Sequence, residues 1–138
     1  DVIPNTYMIS KELYFKIGGE NEKFLVHEEL DLAQRLKLIG YKNYIYTKAK
    51  VIHDIGNKTK ITLVDRPPIR MYHTVKCNIL IEKKYAPKSK YLLFWLIFMP
   101  VHMLIYFFYY IPFHAKDKIQ YYKAYLKGLV DGIKSDIK

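Results

Sequence analysis

The sequence predicts an α/β fold that is followed by aromatic and amphipathic helices. Three observations support this prediction. Short helical and strand-like patterns alternate before residue 65, the uncharged run Tyr91–Phe113 holds ten aromatic residues, and a basic helical pattern begins at Ala115. The 138 residues suffice for one modest core. Because the chain begins with Asp1 rather than Met, we expect a fragment or a processed product.

Two helices are predicted in residues 1–65 from the signals at their ends. Ser10 is a suitable N-cap for a short helix over Lys11–Ile17, which Gly18-Gly19 would end. A second helix is expected over His27–Ile39, because apolar residues recur there with a helical period and Gly40 follows.

Three segments of the same region have the pattern of short strands. Their residues alternate between apolar and polar or form a short apolar run: Met8-Ile9, Asn43–Thr47 and Lys50–His53. Together with the two helices, these segments are the basis of the α/β prediction.

The charge distribution divides the chain at residue 65. Residues 1–65 hold 10 Lys and Arg against 9 Asp and Glu, whereas residues 66–138 hold 13 against 4. The first part therefore has the charge of an ordinary globular domain, and the second is expected to meet an anionic surface. Cys77 is the sole cysteine, which excludes an intrachain disulfide and favours a reducing, cytoplasmic setting.

Two helices are predicted on either side of the aromatic run. Pro67-Pro68 opens the first, over Ile69–Lys84. The second, over Ala115–Lys134, is basic and amphipathic. Its apolar stripe is expected to consist of Ile119, Tyr122, Tyr125, Leu126, Leu129 and Ile133.

The apolar run Tyr91–Phe113 has three possible roles. It is long enough to span a bilayer, it has the composition of an interfacial segment, and it would also suit burial against another part of the protein. Since Pro100 lies near its middle and lysines flank both ends, we expect two short helices, broken near Pro100, that lie in the membrane interface.

The candidate site is a cluster of charged side chains at the start of the second helix. Glu28, Glu29 and Asp31 fall within one turn, and Arg35 follows Asp31 by four residues. Carboxylates are favoured at a helix N-terminus, and an Asp–Arg pair at this spacing stabilises a helix, so a structural role is one interpretation. The other is catalysis, with the carboxylates as proton acceptors and His53 as a ligand for a divalent metal or a phosphate.

The order of these features resembles a known family. The chain contains, in this order, Ile17-Gly18-Gly19, Glu28-Glu29-Leu30-Asp31-Leu32 with Arg35, Gly40-Tyr41 and His53. This ordered set resembles the second half of family 2 inverting glycosyltransferases of the GT-A fold. The resemblance is closest to the rhamnosyltransferase and galactofuranosyltransferase branch and covers residues from about 7 to 56. It implies that residues 1–65 are the acceptor-side half of a GT-A catalytic domain, with 66–138 as a basic, aromatic, membrane-associating region.

The resemblance also implies roles for individual residues. Glu29, where the family usually has Asp, would be the general base, with Glu28 and Asp31 as the other carboxylates of the catalytic group. His53 would help to hold a divalent metal, Mg²⁺ or Mn²⁺, in the complete enzyme, and Arg35 would position the acceptor or the base. The chain contains no Asp-x-Asp motif, which carries most metal ligands in the family, so alone it is expected to bind the donor poorly and to turn over negligibly.

The resemblance further implies partners and a location. A nucleotide-sugar donor and a glycan or lipid-linked acceptor would be the substrates, in bacterial cell-surface glycan synthesis, and a missing N-terminal half would bind the donor. Arg66, Arg70 and Lys76 are expected to contact phosphates or lipid at the cytoplasmic face of the membrane, where the protein would be peripheral. A non-enzymatic membrane-binding helical module is the alternative. Nucleic acid is not an expected partner, because the basic residues border a long apolar run.

Overall fold

The computed structural model describes residues 7–50 and 67–137, and within these ranges the chain forms five helices. They are α1 (Lys11–Lys16), α2 (Glu28–Leu38), α3 (Pro68–Tyr85), α4 (Lys88–His114) and α5 (Lys118–Lys134). The chain divides into two compact units, Asp1–Thr59 and Lys60–Lys138. The domain boundary predicted at residue 65 lies outside the described residues.

The predicted α/β GT-A fold is wrong, because the described residues are helical and contain no strand. Met8-Ile9 and Asn43–Thr47 form no strand, and Tyr44 is 85% exposed. A strand needs a second strand to satisfy its N–H and C=O groups, and side-chain alternation does not supply one. Of the third predicted strand, residues 51–53 lie outside the described residues.

The two predicted helices of the first unit are confirmed. The Ser10 hydroxyl accepts a hydrogen bond from the Leu13 N–H at 3.3 Å and so caps α1. α2 ends before Gly40, whose φ of 87° is the left-handed conformation typical of a residue that follows a helix. Among residues 7–50, the buried apolar side chains are Phe24, Leu32 and Leu36.

In the second unit, α3 and α5 pack closely and run in the same direction. Gly128 lies against the backbone of Tyr72, and further along the pair the Lys83 Nζ donates to the carbonyls of Ile133 and Ser135. A Cβ added at Gly128 would lie 2.5 Å from the Tyr72 carbonyl oxygen. Glycine is therefore what allows the two backbones to approach here.

This packing corrects the apolar stripe predicted for α5. The side that α5 buries carries Tyr121, Tyr125, Gly128 and Gly132. Three residues of the predicted stripe, Ile119, Leu126 and Ile133, are exposed instead. The prediction was based on apolar side chains, whereas the contact of α5 with α3 depends on Gly128 and Gly132, which have no side chain.

α4 is one continuous helix of 27 residues, so the predicted break near Pro100 is wrong. Two π-helical segments, Phe94–Phe98 and Ile105–Tyr110, interrupt its α-helical geometry, and each is followed closely by a proline, Pro100 or Pro112. The wider turn gives room where a proline ring would otherwise collide with the carbonyl four residues earlier. The helix thus accommodates both prolines without ending.

α4 runs antiparallel to α5 and packs against it through aromatic side chains. His102 Nδ1 lies 2.9 Å from the Tyr125 hydroxyl, and the Tyr122 hydroxyl donates to the Phe107 carbonyl at 2.8 Å. Most of the rest of α4 is exposed and apolar. By length and composition, α4 is apolar enough to associate with a membrane.

We predict that Gly128→Ala lowers the free energy of unfolding by about 1 to 3 kcal/mol, because the new methyl group meets backbone atoms of α3. Alanine ordinarily stabilises a helix relative to glycine, so a loss would identify the contact as its cause. Gly132→Ala is the milder comparison, since a Cβ there would meet the movable Ile79 Cδ1 at 2.9 Å and backbone only at 3.3 Å, the Lys76 carbonyl oxygen. Urea denaturation measures both, and equal effects would contradict the prediction.

A second prediction concerns His73, whose ring packs edge-on against Tyr72 and whose Nδ1 is buried without a hydrogen-bond partner. Burial and then the nearby Lys76 lower the pKa of His73 below its usual 6.5. The unfolded chain therefore binds more protons just below pH 6.5, and stability is lost as the pH falls through that range. NMR titration of the imidazole measures this directly, and a His73 pKa at or above 6.5 would contradict it.

Candidate functional site

The candidate site lies at the start of α2, where the backbone makes an unusual turn. His27 precedes the helix with a φ of 69°, a left-handed conformation that is rare for a residue other than glycine. Glu28 and Glu29 follow in the first turn and are half-buried. The positive end of the helix dipole favours these carboxylates as anions.

Arg35 links this helix to the turn that follows α1. Its Nε donates to the Asp31 Oδ2 at 2.8 Å, and its two terminal nitrogens donate to the carbonyls of Ile17 at 2.5 Å and Gly19 at 2.6 Å. The Asp31 side chain is 0% exposed, so this pair is not an ordinary surface ion pair. The guanidinium instead bridges two segments that lie 16 or more residues apart in sequence.

The turn that Arg35 contacts requires its two glycines. Gly18 and Gly19 have φ values of 82° and 66°, and a Cβ at Gly19 would lie 3.2 Å from the ring of Tyr14. The Tyr14 hydroxyl in turn accepts from the Glu20 N–H at 3.2 Å. The Gly-Gly and Asp-x-x-x-Arg parts of the sequence pattern are therefore two halves of one structural unit.

Tyr7 and Glu20 form a second contact beside this turn. The Tyr7 hydroxyl donates to Glu20 Oε1 at 2.6 Å. This hydrogen bond, followed by burial and the carboxylate charge, raises the pKa of Tyr7 to about 12. Sequence reasoning missed this pair, which no local spacing indicates, because its members are 13 residues apart.

The structure brings together some of the predicted site residues. Asp31 and Arg35 are in contact, and Glu28 and Glu29 lie on the turn just before them. The Glu29 side chain is half-buried and makes no hydrogen bond or ion pair to the other described residues. The catalytic roles of these residues stay predictions. His53 lies outside the described residues, and its proximity to Glu29 stays a prediction too.

Two of the three predicted phosphate contacts, Arg70 and Lys76, lie on α3. Arg70 is exposed in its first turn, whereas Arg66 lies outside the described residues. Lys76 Nζ lies 5.6 Å from the centroid of the Tyr72 ring, and Lys127 Nζ lies 5.7 Å from the same ring. These are cation–π contacts.

Tyr72 also connects α3 to α5 through its hydroxyl. The hydroxyl donates to Asp131 Oδ2 at 2.8 Å. Burial, and then this hydrogen bond, raise the pKa of Tyr72 to about 12. Sequence reasoning missed this contact, although Asp131 is the one acidic residue on a basic helix and could have indicated a partner.

We predict that Arg35→Lys lowers the free energy of unfolding by about 2 to 3 kcal/mol, since lysine cannot make three hydrogen bonds in this geometry. Lys37 on the same helix is exposed, so the reverse exchange, Lys37→Arg, is expected to change the free energy of unfolding by less than about 0.5 kcal/mol. Urea denaturation of the full chain measures both. If the two variants are equally stable, Arg35 does not hold the turn.

The comparisons with known proteins give one informative match. The chain is 26% identical over 132 residues to dTDP-rhamnosyl transferase RfbF of Shigella flexneri. The matched region covers 92% of this chain and 43% of the relative, so the chain spans less than half the length of that protein. No family model matches the sequence. No solved structure matches it significantly. The similarity is distant and supports a glycosyltransferase-like protein.

Proposed function

We propose that this chain forms the acceptor-side part of an inverting glycosyltransferase in bacterial cell-surface glycan synthesis. The enzyme would transfer a sugar from a nucleotide-diphosphate donor to a lipid-linked or polysaccharide acceptor. The observation that carries the proposal is the similarity to a rhamnosyl transferase along 92% of the chain. The arrangement at the start of α2 is in keeping with it, because the paired carboxylates follow a turn that Arg35 holds in place.

In the proposed mechanism Glu29 is the general base. Its carboxylate takes the proton of an acceptor hydroxyl while the hydroxyl oxygen attacks the anomeric carbon of the donor. The bond from that carbon to the diphosphate oxygen breaks with its electrons, and the nucleoside diphosphate leaves. Glu28 would keep the site anionic beside the base. Asp31 and Arg35 would position the helix start that carries both.

A divalent metal, Mg²⁺ or Mn²⁺, held with His53 in the complete enzyme, is part of the proposal. When bound, it would neutralise charge on the leaving diphosphate. Within residues 7–50 and 67–137, no three His, Cys, Asp or Glu side chains are arranged so that they could hold a metal ion. This part of the chain therefore does not by itself fit a metal site, and a donor-binding half would have to supply most ligands.

We place the protein at the cytoplasmic face of the membrane as a peripheral protein. The exposed apolar surface of α4 supports this, and Arg66, Arg70 and Lys76 would contact lipid or diphosphate groups. The same surface also favours the second candidate, a membrane-binding helical module without catalytic activity. The two candidates differ in whether Glu29 has a chemical role.

We predict that Glu29→Gln lowers kcat of the chain joined to a donor-binding half by about 10²- to 10⁴-fold, because the amide cannot accept the hydroxyl proton. KM for the donor should change little. Glu22→Gln, which removes an exposed carboxylate of the first unit, is the matched control and should leave the rate unchanged. Release of nucleoside diphosphate and formation of the glycoside measure the rate. Full activity of Glu29→Gln would show that Glu29 is not the general base, whereas absence of sugar transfer by the unchanged joined chain would favour the non-catalytic module.

A further inference from the structure

The second unit carries a continuous apolar surface that α4 and α5 share. From residue 91 to 113, α4 has no charged side chain, and the members that point away from α5 are large and exposed, such as Leu96 at 63% and Phe113 at 74%. Monomeric soluble proteins rarely expose an apolar patch of this extent.

The exposed side of α5 extends this surface. Ile119, Leu126, Val130 and Ile133 are all exposed and are spaced by seven, four and three residues, which places them on one side of the helix. We refer to these four as the apolar strip. Tyr122, which bonds to α4 through Phe107, lies on the α4 side of the strip. The strip therefore adjoins α4.

Lysines border the strip on its other side. Lys123, Lys127 and Lys134 are spaced by four and seven residues and form a row, and all three are exposed. On the far side of the row from the strip lies Tyr72 of α3, which contacts Lys127 of the row and also Asp131. Around α5, the order is thus α4, the apolar strip, the lysine row and α3.

We infer that α4 and the apolar strip lie in the plane of an anionic bilayer surface, with the lysine row on lipid phosphates. This inference rests on the membrane association in the proposed function and specifies the surface and its orientation. An apolar side with adjacent lysines is the arrangement of helices that lie in a membrane interface, where the apolar side enters the acyl boundary and the ammonium groups meet the headgroups.

The packing of α5 argues against a spanning orientation for α4. His102, next to the centre of the 27-residue helix, contacts Tyr125. Lys123 and Lys127 lie within one turn of Tyr125 on either side. If α4 crossed the bilayer, α5 would carry both ammonium groups to its centre, where charged side chains are strongly disfavoured. In the in-plane orientation the same lysines are at headgroup level.

Vesicle co-sedimentation of the full chain tests the lipid contact. We expect stronger binding to vesicles of phosphatidylcholine with phosphatidylglycerol than to phosphatidylcholine alone. Lys123→Gln with Lys134→Gln should weaken binding to the anionic vesicles by about 10- to 30-fold. Lys42→Gln with Lys48→Gln removes the same charge from exposed positions of the first unit and should leave binding unchanged. Equal losses in the two double variants would overturn the role of the lysine row.

Cysteine labelling tests the orientation. Ser89→Cys and Lys118→Cys place thiols at exposed positions beside the two ends of α4, and the unchanged chain is the blank because Cys77 is buried. A membrane-impermeant maleimide added outside preformed vesicles should label both variants fully. If one variant is labelled only after detergent is added, α4 spans the bilayer and the inference is wrong.

Two further measurements distinguish lipid binding from self-association and from catalysis. Light scattering without lipid should show a monomer. A stable dimer that Leu126→Gln dissociates would mean that a second copy of the chain, and not lipid, covers the apolar strip. Glu29→Gln should bind vesicles as the unchanged chain does. Absence of sugar transfer with intact vesicle binding would therefore contradict the proposed function alone. Absence of vesicle binding with intact transfer to a soluble acceptor would contradict this inference alone.

Discussion

The candidate site depends on the guanidinium of Arg35. By donating to Asp31 and to two carbonyls of the preceding turn, it joins a helix start to a loop that glycine alone can form. Its planar, forked geometry satisfies acceptors from two segments at once, which an ammonium group does not. Because Asp31 is fully buried, this contact also determines where the first turn of α2, with Glu28 and Glu29, is held.

In the second unit, the close packing of two glycines against α3 has a comparable effect. The close approach at Gly128 and Gly132 turns that side of α5 towards α3. Tyr121, Tyr122 and Tyr125 pack in or against the hydrophobic core of this unit. The side of α5 that stays exposed therefore carries the apolar strip and the lysine row. The surface proposed for lipid therefore follows from the packing of the helices as much as from composition.

The sequence predicted local features well and long-range ones poorly. Ser10, Gly18-Gly19, Gly40 and Pro67-Pro68 mark helix ends through interactions within a few residues, and the helices begin and end near them. Strands depend on a distant partner, so alternation over Asn43–Thr47 was insufficient evidence. The spacing of Asp31 and Arg35 predicted their contact, but neither the burial of Asp31 nor the carbonyls that Arg35 reaches can be derived from spacing.

The continuity of α4 has a physical consequence for its environment. A helix broken at Pro100 would leave backbone N–H and C=O groups without partners, which is costly against lipid because acyl chains offer none. The π-helical segments before Pro100 and Pro112 keep the backbone helical through both prolines. The carbonyls that each ring would crowd, those of Leu96 and Phe108, lie within these segments. The two prolines are thus compatible with a long apolar helix, whose exposed side can meet an apolar medium with its backbone still helical.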